Sequence, residues 1–285
     1  VGRAVNAPPR VAFVGLGAMG APMASRLVQA GVAVTGIDAD PAVQARWRHA
    51  AGVPAVEPGA AHAPAPRPDP AAPPDVHAVV VCVTDEAASR AVFEHGLGRW
   101  RPGTLVIEHG TTSAAWALEA DRLARAAGLR YCDAPISGGA AGAQRGELVA
   151  MLGAHVEDLA PARTLLGAYC ASVVHLGSPG AGQLCKMANQ LAIAGVAAGL
   201  AEAQAFSRDA GLDPVRVFDV LSRGAAGSVQ LERLRDALGR PDGDARDTFA
   251  WLRKDLALCA AATARPLPLE LLWRGLWNRL DEERR

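Results

Sequence analysis

Short β-branched runs alternate with helical stretches through the first half of the chain. The runs are Arg10–Gly15, Ala33–Asp38, Ala78–Val83, Leu105–Glu108 and Arg130–Asp133, with further apolar runs at Leu148–Leu152 and Ser172–His175. Apolar strands alternating with helices predict a parallel α/β sheet, because a strand covered on both faces needs no polar side. Ala21–Gln29 reads as the first helix. Between the second and third runs lies Pro58–Pro74, dominated by alanine and proline. Proline removes N–H donors and clashes with the preceding turn, so this stretch is expected to be a loop replacing one crossover helix. From Ala181 to about Ala210 the pattern becomes one long helix, on the order of 45 Å at 1.5 Å per residue. Asp213-Pro214 predicts the next helix start, with Asp as N-cap and Pro at the first position. Two or three more helices are expected beyond it and no strand. The pattern thus predicts an α/β domain over 1–180 and an all-α domain over 181–285, joined by a long helix.

The chain has 285 residues, half of them hydrophobic, which suits two domains with a sizeable core. Formal net charge is zero and the pI is near 7.2, so charge offers no case for nucleic acid or an anionic membrane. Five cysteines (Cys82, Cys132, Cys170, Cys185, Cys259) are scattered and never form C-x-x-C. They read as buried free thiols in a reducing compartment, which predicts a cytoplasmic protein. The histidines show no metal-ligand spacing, and no metal is expected. The apolar run Leu191–Ala201 is shorter than the roughly 20 residues a bilayer span needs, and no signal-peptide pattern opens the sequence. Composition contributes one sharper point. Of 29 basic residues only Lys186 and Lys254 are lysine, so where either cation would serve this chain carries arginine.

Val11-Ala12-Phe13-Val14 leads into Gly15-Leu16-Gly17-Ala18-Met19-Gly20, a G-x-G-x-x-G followed by a helix. Gly15 would permit the tight turn, Gly17 the approach of a pyrophosphate to the backbone, and Gly20 close helix–strand packing. The helix N-terminus would offer N–H groups and a positive dipole end to the phosphates. Asp38 ends the next strand, where an acid can bind the ribose hydroxyls of NAD and would repel the 2′-phosphate of NADP. Ala39 follows, where an NADP enzyme would want a cation. NAD is the expected cofactor.

A second constellation lies further on. Asp133-Ala134-Pro135-Ile136-Ser137-Gly138-Gly139 ends a strand and opens a glycine-rich loop whose N–H groups suit a carboxylate. In Gly180–Gln190, residues Gln183, Lys186, Asn189 and Gln190 share one polar face of an otherwise apolar helix. A desolvated lysine can lose its proton and arginine effectively cannot, so Lys186 is a candidate acid/base.

These segments, with Ala21-Pro22-Met23-Ala24 and Lys254-Asp255-Leu256-Ala257-Leu258, resemble the β-hydroxyacid dehydrogenase family over roughly Arg10 to Leu269. The resemblance implies a Rossmann dinucleotide-binding domain plus an α-helical domain, with the active site in the cleft between them. It implies that Lys186 is the catalytic acid/base, that Asn189 holds the substrate oxygen, and that Ser137, Gly138 and Gly139 bind the substrate carboxylate. Thr111 would lie between cofactor and substrate. Leu16, Ala18, Met19 and Thr84 would join the glycines and Asp38 on the cofactor side, and Lys254 and Asp255 would close the cleft near the nicotinamide. Spacing alone also allows Lys254-Asp255 to be a surface charge pair. The expected ligands are NAD and a small carboxylic acid, and the expected assembly is a homodimer or homotetramer through the helical domain. Departures from the family pattern are Gly110 in place of serine, His109 beside it, Asp247 where an aromatic residue is expected with Phe249 displaced, and an end soon after Trp277. They make substrate identity the open point. Trp251, Trp273 and Trp277 read as helix-core residues. The rival readings are an imine reductase, against which Lys186 and Asp38 argue, and a non-catalytic dinucleotide sensor, against which Lys186, Asn189 and Ser137 argue together.

Overall fold

The computed structural model describes residues 8–53, 75–240 and 245–282. The chain divides into two units, 1–186 and 187–285. In the first, five strands lie parallel in the order β2-β1-β3-β4-β5: β1 (Arg10–Val14), β2 (Ala33–Ile37), β3 (Ala78–Val81), β4 (Leu105–Glu108) and β5 (Arg130–Asp133). The order reverses between β1 and β3, which makes the carboxyl end of β1 the topological switch point where open α/β sheets bind ligands. Beyond β5 the sheet ceases to be purely parallel. A two-residue strand unseen in the sequence pattern, β6 (Ile136–Ser137), pairs antiparallel with β7 (Leu148–Ala154). β7 also runs antiparallel to β5 and parallel to β8 (Cys170–Gly177).

The central strands are buried on both faces, as their uninterrupted apolar runs require. Alternate residues feed two cores. Val11, Phe13, Val80 and Ile107 pack on one side with Met23 and Leu27 of α1 (Gly20–Gln29). Ala12, Val79, Val106 and Tyr131 pack on the other, against Phe93 of α3 (Glu86–Gly96) and Trp116 of α4 (Ala114–Ala126). A crossover helix, α2 (Pro41–Ala51), does follow β2; the Pro58–Pro74 stretch expected to replace one lies outside the described residues. Two short helices complete this unit, α5 (Gly139–Arg145) and α6 (Leu159–Leu166). The wholly buried carboxylate of Asp158 is held by Arg125 and by Arg130, the latter at 2.5 Å.

The 29-residue α7 (Ala181–Asp209) begins in the sheet unit and continues into the second. There follow α8 (Pro214–Leu221), α9 (Val229–Leu238), α10 (Ala245–Phe249), α11 (Leu252–Ala261) and α12 (Pro268–Glu282). Four helices thus lie beyond α8 among the described residues, where two or three were expected. Asp213 caps α8 as its sequence position implies, accepting from Val215 N–H at 3.0 Å. Small residues of α7, Ala194, Ala197 and Ala201, let Phe218, Leu231, Leu252 and Trp273 pack close. Taken whole, α7 is long and apolar enough to cross a bilayer by length and composition, which the run Leu191–Ala201 alone is not. A third of its most apolar 18-residue window is buried within the protein. Of the tryptophans expected inside, Trp273 is in the core, but Trp251 is exposed and donates to Thr248 O at 3.2 Å; the side chain of Trp277 lies outside the described set.

Replacing Asp158 by Asn removes the buried anion shared by Arg125 and Arg130, of which Arg125 keeps Asp121 and Glu157. We expect a loss of about 3 kcal/mol, read by urea denaturation, since breaking a buried pair strands its partners.

Candidate active site

β1 delivers the chain into the glycine turn, whose three glycines answer to different needs. Gly15 has φ +93°, and a Cβ there would overlap the carbonyl of Cys82; a Cβ on Gly20 would overlap the carbonyl of Gly15. The fold itself requires those two. Gly17 is exposed, and a Cβ there would meet nothing within 4 Å. No neighbour among the described residues calls for glycine at 17, whereas a ligand pressed against the turn would. The start of α1 beside it has no side-chain cap and no acidic residue in its first turn, leaving a positive helix end open to an anion. Leu16 is buried, Ala18 exposed and Met19 half-buried.

Asp38, just past β2, is pinned to this turn: Leu16 N–H donates to Oδ2 at 2.8 Å and Asp40 N–H to Oδ1 at 2.9 Å. Each oxygen keeps a lone pair for a hydroxyl donor. Asp40, an acid the sequence reading passed over, caps α2 through Ala42 N–H at 2.8 Å. The D-A-D-P run was its signal. Thr84 is exposed and its hydroxyl donates to Asp85 at 3.1 Å. The open Gly17, the uncapped helix and the pinned acid together fit a dinucleotide's pyrophosphate and ribose.

The structure places two of the departures from the family pattern, His109 just after β4 and Phe249 in the helical unit, in the interior. His109 is buried, with Nδ1 2.6 Å from Ala134 O and Nε2 2.9 Å from Tyr169 Oη. Burial pushes its pKa down to about 4, so the ring is neutral. The carbonyl can only accept, which puts the proton on Nδ1 and leaves Nε2 to accept from Tyr169. Phe249 is likewise a core residue of the helical unit, wholly buried; the side chain of Asp247 lies outside the described set. Glu108 is fully buried too. Its Oε2 accepts from Ser89 Oγ (2.7 Å) and Trp116 Nε1 (3.2 Å), while Oε1 has no hydrogen-bond partner among the described residues. Burial pushes this carboxyl up to about 7. Gly110 leaves it room, since a Cβ there would stand 3.1 Å from Oε1.

Asp133, at the end of β5, takes the first turn of α7 by its backbone: Gly180 N–H donates to Oδ1 at 2.7 Å and Gln183 N–H to Oδ2 at 2.8 Å. Burial raises its pKa to about 6 against the pull of those N–H groups. The Gln183 side chain donates from Nε2 to Gly110 O (2.8 Å) and accepts from Thr112 N–H (3.1 Å), on either side of half-buried Thr111. One turn on, buried Lys186 donates from Nζ to Ile136 O at 2.8 Å. The next residues are Ser137, in β6, and Gly138 and Gly139, whose φ of +129° and +65° favour glycine. Lys186 and the Ser-Gly-Gly turn are therefore brought together.

In the second unit, Asn189 Nδ2 donates to Gln190 Oε1 at 2.8 Å and Gln190 Nε2 donates to Asp255 Oδ2 at 2.5 Å. Lys254 pairs with Asp255 Oδ1 at 3.1 Å. Asp255 is buried and only Lys254 is exposed, so the pair is not simply a surface one. Gln190, noted in the sequence only for its face, links Asn189 to Asp255. Among the described residues no cluster of His, Cys, Asp and Glu could hold a metal.

Two family sequence profiles match consecutive parts of the chain. One describes the NAD binding domain of 6-phosphogluconate dehydrogenase, over residues 10–177; the other the NAD-binding domain of NADP-dependent 3-hydroxyisobutyrate dehydrogenase, over residues 180–284. The chain belongs to the β-hydroxyacid dehydrogenase family. A probable 3-hydroxyisobutyrate dehydrogenase of Mycobacterium bovis is 33% identical over 271 residues, covering 91% of this chain and 88% of that one. An NAD-dependent L-serine dehydrogenase of Pseudomonas aeruginosa is 35% identical over 225 residues, covering 78% and 72%. The solved Mycobacterium tuberculosis 3-hydroxyisobutyrate dehydrogenase with L-serine is 29% identical, with a TM-score of 0.75 over 97% of this chain and 94% of that one. As a β-hydroxyacid dehydrogenase the chain is a hydroxyacid oxidoreductase that uses a nicotinamide cofactor.

Two expectations follow for this dehydrogenase. Gly17→Ala should keep the melting temperature within about 2 °C, because no contact is displaced, yet weaken cofactor binding by at least tenfold in a fluorescence titration. Gly20→Ala should lower the melting temperature by more than that, through its collision with Gly15. Glu108 supplies the second. Its folded pKa exceeds the unfolded value of 4.5, so its stabilising share is present at low pH and lost as pH rises toward 7. Glu108→Gln should gain about 3 kcal/mol on wild type between pH 4.5 and 8, by denaturant melts at each pH.

Proposed function

We propose that this enzyme moves a hydride between NAD and the hydroxyl-bearing carbon of a small 3-hydroxy acid, with Lys186 as general acid/base. The observation that carries the reading is Lys186 Nζ, buried and held on the carbonyl immediately before Ser137-Gly138-Gly139. Arginine would do for a mere charge in this chain. Bound nicotinamide supplies the hydride acceptor in oxidation and the donor in reduction.

The chain's residues do the rest. Ser137 and the N–H groups at Gly138 and Gly139 bind the substrate carboxylate, which selects the carbon presented for reaction. Neutral Lys186 takes the hydroxyl proton at Nζ in oxidation, and its ammonium returns one in reduction. Asp255 accepts only, so Gln190 turns its amide N to the acid and its carbonyl to Asn189. Asn189 then has Oδ1 and one N–H for the substrate oxygen. Thr111 lies between substrate and cofactor, and Lys254 stands on the cofactor side. Asp38, followed by Ala39 and Asp40 with no cation, favours NAD over NADP. The relatives' named compounds, 3-hydroxyisobutyrate and L-serine, both carry a hydroxyl two carbons from the carboxylate, and they are the first substrates to try. Copies associate through the helical unit, where Phe206, Leu271 and Leu272 are exposed.

In an NAD-linked screen of 3-hydroxy acids, with NADP as control, we expect turnover with NAD and a much lower rate with NADP. Comparable rates with both overturn the role of Asp38. Lys186→Arg should bind NADH normally and lose about a thousandfold in kcat; near-wild-type turnover overturns the acid/base assignment. Cofactor binding without turnover of any acid favours the sensor reading.

A further inference from the structure

The polar residue of α7 that touches most of the active-site framework is Gln183, and neither motif nor charge assigns it a task. Its side chain is fully buried, and its amide meets the backbone of the loop between β4 and α4 on both sides of Thr111. The amide can face only one way. Gly110 O accepts only and Thr112 N–H donates only, so Nε2 lies toward Gly110 and Oε1 toward Thr112. This doubled contact acts like one rung of a sheet ladder, fixing the residue between its two ends. Gln183 is itself fixed, because its own N–H is bound by Asp133. Lys186 follows one turn later on the same helix, tied to Ile136 three residues beyond Asp133. One side chain thus joins the loop of Thr111 to the helical turn of Lys186.

We propose that Gln183 is a positioning residue that holds Thr111 and Lys186 in register for hydride transfer. This rests on the function proposed above. Gln183 touches neither reactant; it acts through the loop it clamps. Leucine would fill its volume and leave Gly110 O and Thr112 N–H unpaired in the interior. Glutamate is more informative. Its anion can accept from Thr112 but cannot donate to Gly110, whereas the protonated acid does both and copies the amide.

The test compares the full-length wild type with Gln183→Leu and Gln183→Glu by amide hydrogen exchange over residues 109–113, NADH fluorescence titration, and kcat and KM across pH. Gln183→Leu should speed exchange at Thr112, lower kcat about a hundredfold, as a displacement near 1 Å can, and leave NADH affinity within about threefold. Gln183→Glu should regain kcat relative to wild type as pH falls, which Gln183→Leu should not. Unchanged exchange at Thr112, or faster exchange with unchanged kcat, overturns the proposal. So does a glutamate variant whose pH profile parallels the leucine variant's. If Gln183→Leu does not fold, the pH profile of Gln183→Glu decides. If the wild type turns over no hydroxy acid, the proposed function fails, and exchange at Thr112 alone upholds or overturns the clamp.

Discussion

The catalytic side of the sheet unit depends on one buried carboxylate. Asp133 has no solvent exposure, and what makes its charge tolerable is the start of α7, which presents Gly180 and Gln183 N–H groups and the positive end of a 29-residue helix. The arrangement dictates its neighbours. A Cβ on Gly153 of β7 would collide with Asp133 Oδ1, and one on Gly182 would stand 2.7 Å from Oδ2. Gly182 also lies against the β7 backbone, where such a Cβ would stand 2.3 Å from Met151 O, so close packing of β7, Asp133 and α7 requires both glycines. Since α7 must begin where Asp133 takes its N–H groups, the positions of Gln183 and Lys186 follow from that meeting.

Glu108 shows what happens without such a helix. It lies opposite Asp133 in the β4–β5 register, equally buried, with only Oε2 satisfied. Two ionised carboxyls on adjacent strands repel, and Asp133 adds to the upward push that burial already gives Glu108. Burial raises both acids by a similar amount, Asp133 from 3.8 to about 6 and Glu108 from 4.5 to about 7. His109, next in the chain, is neutral for the same reason of burial. At this edge helix N–H groups answer the charge of Asp133, while burial favours the neutral forms of its neighbours, Glu108 by holding a proton and His109 by releasing one.

What the sequence discloses and what it hides divide along chain separation. The glycine turn and Asp38 are legible because all their parts lie within one β-α-β unit and each has a local conformational reason. Lys186 is legible for a different cause, the scarcity of lysine beside abundant arginine. The polar face of α7 announces that buried partners exist, but not which. Gln183 finds Gly110 across 73 positions, Asp133 finds Gly180 across 47, and Gln190 finds Asp255 across 65. No periodicity carries such information. His109 departs from the family pattern, and nothing local discloses that its bonds go to Ala134 and to Tyr169, 60 positions away, in the interior. β6 is two residues long and offers no alternation to read.

The fit to a dinucleotide rests on Gly17 and the uncapped start of α1, which no contact among the described residues requires, and on Asp38, which also braces the turn. α2, α3 and α4, on the same sheet, each carry a side-chain cap from Asp40, Asp85 and Ser113. Capping is worth about 1 kcal/mol; α5, α6 and α11 also go without it, so the bare end of α1 counts only together with Gly17 and Asp38. α1 has none, and its first turn holds no acid. Gly17 adds the backbone entropy of an exposed glycine, roughly 0.5–1 kcal/mol relative to alanine inside regular structure, where a methyl group would touch nothing. Asp38 stands beside the turn with both oxygens already on backbone donors and lone pairs to spare. Gly17 and the bare end of α1 are small costs to the protein alone. Their convergence at the β1 switch point fits an anion completing α1 and hydroxyls reaching Asp38.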